Sequence, residues 1–221
     1  MDEIIIHNLN FNPMLLWHEK LINAVTIVNG IISEIKKPQK ARLPWYRFWI
    51  YDQETLIHSA NVSLLTILIA REMGYQGKNL EEVALGALLH DLGKLEVPKS
   101  ILNKPGKLTE DEYEVIKKHP QYGMELIKPF CLSKMIQQPI IQHHERWNGK
   151  GYPHGLKKEE IHPNAQIVAV ADVLAALIED RSYRQGMGVM GAMEIIAAGK
   201  AKEFSPIIVD QLLKVFTPVT H

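Results

Sequence analysis

The chain has 221 residues, 46% of them hydrophobic, and its 25 basic side chains are balanced by 25 acidic ones. That length supports one sizeable domain with a small appendage, and the charge balance gives no footing for a nucleic-acid polymer or an anionic membrane surface. A single cysteine, Cys131, excludes an internal disulfide and any multi-thiolate metal site, so metal ligands would have to be His, Asp and Glu. In residues 1–45, Leu15, Ile22, Val25, Val28, Ile31 and Ile35 recur at three- and four-residue steps and predict one helix from Pro13 to Lys37. Ile4-Ile5-Ile6 is a weak strand signal. The start lacks the basic region of a secretory signal, and no apolar run reaches the roughly 18 residues of a membrane span, so a cytoplasmic protein is expected. Residues 38 to 50 read as a linker, and the main domain is taken as 46–221. Its first helix is predicted over Asp52 to Met73, with Gly74 as stop, and a second over Leu80 to Leu92, closed by Gly93. A turn-rich passage with Pro98, Pro105 and Gly106 follows. Thr109 and Glu112 form a capping box that starts another helix, which Pro120 bends or breaks. Helices over Leu132 to Arg146 and Asn164 to Glu179 flank a loop rich in Gly and Pro, and terminal helices are expected near 189–199 and 206–216. The domain therefore reads as all-α.

Five of the ten histidines, His58, His90, His119, His143 and His144, lie in or beside apolar helical segments. A single such histidine is ordinarily a core residue bonded to a carbonyl. Five of them, with Asp91 and Asp172, would be costly to bury together unless they pair or bind metal. In His90-Asp91 the imidazole offers one nitrogen, while the carboxylate has two oxygens that can bridge two cations. His143 and His144 are neighbours on a predicted helix and diverge by about 100°. Glu54 and His58, at i and i+4, share a face; the plain alternative for Glu54 is a solvated carboxylate at a helix start.

His90-Asp91-Leu92-Gly93-Lys94, Pro105-Gly106-Lys107-Leu108-Thr109, His119-Pro120, the run from His143 to Pro153, and Ala171-Asp172-Val173 through Asp180-Arg181-Ser182-Tyr183-Arg184 resemble the HD-GYP subgroup of the HD phosphohydrolases. The likeness covers about residues 50 to 217. It implies an HD-type helical bundle, here with a short N-terminal helical extension. It also implies hydrolysis of cyclic di-GMP to pGpG, and on to GMP in some members, through a metal-bridging hydroxide. Two or three divalent metal ions are implied, usually iron and sometimes manganese. By the resemblance His58, His90, Asp91, His119, His143, His144 and Asp172 are metal ligands, and Glu54 matches the extra carboxylate of trinuclear members. Lys94, Tyr152, Arg181 and Arg184 fall where the family contacts substrate, with Gly151 and Pro153 framing Tyr152. The chemistry agrees: a metal-bound water supplies hydroxide at neutral pH, and Asp91 and Lys94 are the expected catalytic pair, Lys94 sharing the charge that develops on phosphorus.

Two positions depart from the family pattern. Ala175 stands where a second Asp is frequent, and Ser182 where Pro is usual. Trp147 is expected to pack under the loop, with His154 and His162 exposed. Phosphate contacts do not distinguish guanine from adenine, so a cyclic GMP-AMP hydrolase is a rival reading. A second rival is a catalytically idle module that binds the messenger or a diguanylate cyclase partner. The apolar face of the first helix also suits a homodimer.

Overall fold

Helix α2 (Gln53–Glu72) is buried on every side from His58 to Ala70, and its neighbours account for this. Around it pack α1 (His18–Ile35), α3 (Gly77–Leu89), α8 (Pro163–Ile178) and α10 (Pro206–Phe216). A helix buried on every side belongs in a core; here Val62, Leu64, Leu65, Ile67 and Ile69 are all fully buried, beside the buried polar Ser59, Asn61, Ser63 and Thr66. Each such apolar side chain contributes about 1.5–3 kcal/mol through burial. The sequence periodicity marks only one face of this helix; the structure buries the others too, because four helices surround it.

The computed structural model describes residues 18–35, 47, 53–180 and 185–216. Between α3 and α8 the chain forms a 3-10 turn (Leu92–Glu96), α4 (Lys99–Leu102), α5 (Glu110–Ile116), α6 (His119–Ile127) and α7 (Lys134–Gln142); α9 (Val189–Ala198) lies between α8 and α10. Among the described residues there is no strand, only the isolated bridges Asn148 to Lys157 and Lys200 to Phe204. No helix among them is long and apolar enough to cross a membrane. The Ile4-Ile5-Ile6 signal and the expected helix start at Pro13 lie outside the described residues. Ala24 and Val28 of α1 join the same core cluster as α2, α3, α8, α9 and α10.

The capping box forms as expected: Thr109 Oγ1 accepts from Glu112 N–H at 3.2 Å, and Thr109 N–H donates to Glu112 at 2.8 Å. Three expectations need correction. The helix that starts at this box does break before Pro120, but it ends at Ile116, so His119 is not carried on it: His119 and Pro120 open α6, where the missing N–H of Pro120 costs nothing. Helix α7 stops at Gln142, so His143 is its C-cap and His144 lies in the following turn rather than on the helix. α3 stops at Leu89, leaving His90 and Asp91 at the corner before the 3-10 turn.

A second apolar cluster, Leu89, Leu92, Leu95, Ile127, Ile136 and Ile140, ties the end of α3 and the 3-10 turn to α6 and α7. Gly93 makes the closest approach, since a Cβ there would stand 1.8 Å from the His119 carbonyl oxygen. That contact sets the His90-Asp91 corner directly against the start of α6.

Candidate metal centre

Five elements deliver polar side chains to one buried point. His58 comes from the second turn of α2, His90 and Asp91 from the α3 corner, His119 from the start of α6, His143 and His144 from the end of α7, and Asp172 from the middle of α8. Two groups of ligand atoms lie within 4.8 Å of one another: Asp91, His119, His143 and His144, and His58, His90 and Asp91. Asp91 belongs to both. Its Oδ1 lies 3.3 Å from His119 Nε2 and 4.0 Å from His143 Nε2, while Oδ2 lies 3.3 Å from His90 Nε2. Asp172 reaches the second group through His58, with Oδ1 at 3.0 Å from Nε2.

The tautomers follow from the backbone. Nδ1–H of His90 donates to the Ala87 carbonyl at 2.7 Å, that of His119 to Ile116 at 2.8 Å, and that of His143 to Pro139 at 2.9 Å. A carbonyl accepts only, so in the neutral rings Nε2 carries a bare lone pair. Burial lowers His119 to about 4 and pushes His143 well below the ordinary 6.5, so both rings are neutral near pH 7. Their Nε2 atoms nevertheless stand 3.2 Å apart, with no proton to share and a carboxylate oxygen beside them. Buried His90 Nε2 likewise has no hydrogen-bond partner. Electron-rich atoms converging without a proton between them fit a cation, and imidazole with carboxylate is a donor set for divalent transition metals.

The charges support this. Burial would raise Asp91, but the Lys94 ammonium and His90 outweigh it and hold the carboxyl well below its usual range. Asp172 is held low in the same way, burial being overcome by His58. Burial, with His119 nearby, takes His144 down to about 3. His58 behaves oppositely: burial pulls it down, but Asp172 and Glu179 outweigh that and raise it to about 9.

Lys94 Nζ sits 2.5 Å from Asp91 Oδ2 and is partly exposed. Tyr152 stacks on His144, ring centroids 4.6 Å apart at 27°, and its N–H donates to the His144 carbonyl. Gly151 is required by crowding, since a Cβ would lie 2.4 Å from Arg146 N and Glu145 Cα. Pro153 follows through a cis peptide bond. Glu54, one turn before His58, is exposed and belongs to neither ligand group. Arg181 and Arg184 lie outside the described residues. Trp147 is half-buried and its N–H donates to the Glu203 carbonyl, while His154 is exposed. His162 is not exposed: it is half-buried and caps α8, Nδ1 accepting from Asn164 N–H at 3.2 Å.

Sequence reading missed three groups here. Buried Glu145 accepts from His154 N–H at 2.7 Å and Leu156 N–H at 3.0 Å, holding the loop that carries Tyr152. Lys117 lies 6.0 Å from the Tyr152 ring centroid and 5.4 Å from that of exposed Tyr113. Glu179 and Asn61 support His58. A Glu beside Asp180 in a charged string carries no one-dimensional sign of burial.

The sequence profile of the HD domain matches residues 49–208. Over 177 residues the chain is 37% identical to a cyclic di-GMP phosphodiesterase of Pseudomonas aeruginosa, covering 79% of this chain and 42% of that protein. Over 164 residues it is 34% identical to a 3'3'-cGAMP-specific phosphodiesterase of Vibrio cholerae, covering 73% of this chain and 31% of that protein. The chain thus spans less than half the length of these two relatives. Among solved structures, an HDG"Y"P protein from Bdellovibrio bacteriovorus matches with a TM-score of 0.64 at 21% identity, covering 93% of this chain and 74% of the other, a likeness of fold.

Proposed function

The chain belongs to the HD domain family and carries the HD-GYP motif series, and from that premise we propose that it is a metal-dependent phosphodiesterase that hydrolyses cyclic di-GMP to pGpG. One observation carries the reading: a single buried carboxylate, Asp91, belongs to two groups of candidate ligand atoms, and in one of them the Nε2 lone pairs of neutral His119 and His143 face each other with no proton between them. Divalent ions at such a centre, iron first and manganese as the alternative, would supply Lewis acidity toward phosphate and draw a hydroxide nucleophile from water.

The protein's own groups set the geometry. His90, His119 and His143 hold their Nε2 lone pairs inward by donating Nδ1–H to carbonyls. His58, His144 and Asp172 complete the ligand set, and Glu54 is proposed as a further carboxylate. Lys94, anchored on Asp91, shares the negative charge that grows on the phosphate. Tyr152 offers an aromatic face at the lip, framed by Gly151 and Pro153, and Arg181 and Arg184 are assigned to substrate phosphates. Residues 46–221 form the hydrolytic unit, with 1–45 as an attached helical segment.

The name of the Pseudomonas relative supports cyclic di-GMP, while the name of the Vibrio relative supports cyclic GMP-AMP as a second reading. Separate turnover assays of metal-loaded protein with cyclic di-GMP, cyclic GMP-AMP and pGpG decide between them. Faster conversion of cyclic di-GMP is expected. Exclusive conversion of the hybrid transfers the assignment to it, and binding without turnover of any of the three points to an idle module.

A further inference from the structure

His58 is oriented differently from the other buried histidines of the centre. Three of those, His90, His119 and His143, donate Nδ1–H to backbone carbonyls three or four residues earlier. His58 Nδ1 instead meets a carboxylate from 121 residues away, Glu179 Oε2, at 2.9 Å. Glu179 is itself buried, and its other oxygen accepts from Asn61 Nδ2 at 2.8 Å. It follows directly on α8, whose Asp172 meets the opposite nitrogen of the same ring. Ala175, one turn before Glu179, is buried and brings no polar group. The chain then returns over this point, with Met187 N–H donating to the Leu177 carbonyl and Gly186 so close that a Cβ would lie 2.1 Å from the Ile178 carbonyl oxygen.

We propose that Glu179 is a positioning residue for the metal centre: by accepting the His58 Nδ1–H it fixes the ring so that Nε2 would face an ion held with His90 and Asp91. A carboxylate behind a ligand histidine sets its tautomer and rotation, and losing such a partner typically weakens metal binding about 10- to 100-fold. The end of α8 thereby sets the geometry of a ligand on α2. The inference rests on the metal-centre reading above.

The test titrates metal-free protein with Mn²⁺ and reads free Mn²⁺ by electron paramagnetic resonance. Glu179→Ala is expected to lose about 10- to 100-fold in affinity for one bound ion, while uptake at Asp91, His119, His143 and His144 persists. Glu179→Gln keeps an acceptor for Nδ1–H, and the Asn61 amide, whose Oδ1 has no partner, can turn to accept from the new amide group. It should stay within a few-fold of wild type. If Glu179→Ala does not fold, Glu179→Asp carries the test, since its shorter side chain withdraws from Nδ1 and should show the same loss. Wild-type uptake matched by Glu179→Ala, or by Glu179→Asp where that carries the test, overturns the role of Glu179 alone. So does a Gln variant as weak as the Ala variant. A wild-type chain that takes up no Mn²⁺ overturns the metal centre and this inference with it.

Discussion

At the scale of single residues, the centre contains two kinds of histidine, and they answer pH in opposite ways. In the metal-free protein His58 is held at about 9, above its ordinary 6.5. Its contribution, about 3 kcal/mol at most, is therefore complete below 6.5 and is lost as pH rises through 9. His119 and His144 are held at about 4 and 3, so their contribution is present above 6.5 and is lost as pH falls through those values. Thermal melts of metal-free protein should consequently show stability declining on both sides of neutrality. A steady rise from neutrality to about pH 9 would contradict the assignment of His58. Metal binding must also displace the His58 Nε2 proton, so Mn²⁺ affinity at that position should rise about tenfold per pH unit between roughly 6.5 and 9. Calorimetry in buffers of different ionisation enthalpy reads the released proton directly. Lys94→Met removes an ammonium without removing a ligand, and turnover should fall roughly 10²- to 10³-fold with metal content unchanged. The ligand candidates were legible in the sequence because five histidines fall in or beside apolar helical segments and because the motif series resembles a known family. Glu179 and Glu145 were not, because their significance lies in what they meet across the fold.

Elements carry the geometry that the residues use. α6 lies against the His90-Asp91 corner because Gly93 leaves room for the His119 carbonyl. Gly93→Ala should push α6 away, costing about 1–3 kcal/mol or more by overpacking and weakening Mn²⁺ binding through His119. Denaturant titration beside metal titration checks both effects, and an unchanged Mn²⁺ affinity would show that the close contact at Gly93 does not set the position of His119. Glu145→Ala deprives the His154 and Leu156 N–H groups of their acceptor, at about 1–3 kcal/mol; KM should rise more than kcat falls, because the loop is loosened while the ligands remain. Helix types and most boundaries followed from periodicity and punctuation, and the Thr109 capping box was correct in detail. The misreadings share a cause: Pro120 and the stretch from Gln142 to Arg146 are helix ends, where local propensity leaves several solutions open and packing selects one.

Over the whole molecule, one apolar core around α2 supports a polar centre that would be unfavourable to bury by itself. Leu65→Ala, deep in α2, should cost about 2–5 kcal/mol with the metal affinity of the surviving folded protein little changed, because Leu65 belongs to the apolar core cluster and lies two turns along α2 from His58. Metal binds the folded state alone, so the melting temperature should climb with added Mn²⁺. The class of fold was open to sequence reasoning because helical periodicity runs almost throughout. That α2 is enclosed on all sides was not, since enclosure depends on how four other helices assemble around it. The central claim joins Asp91 to hydrolysis, and the most direct measurement is the rate of pGpG formation from cyclic di-GMP by metal-loaded wild type beside Asp91→Ala. The bridging role predicts turnover by wild type and a loss of at least roughly 10²- to 10³-fold in the variant. Equal rates in the two proteins would contradict it.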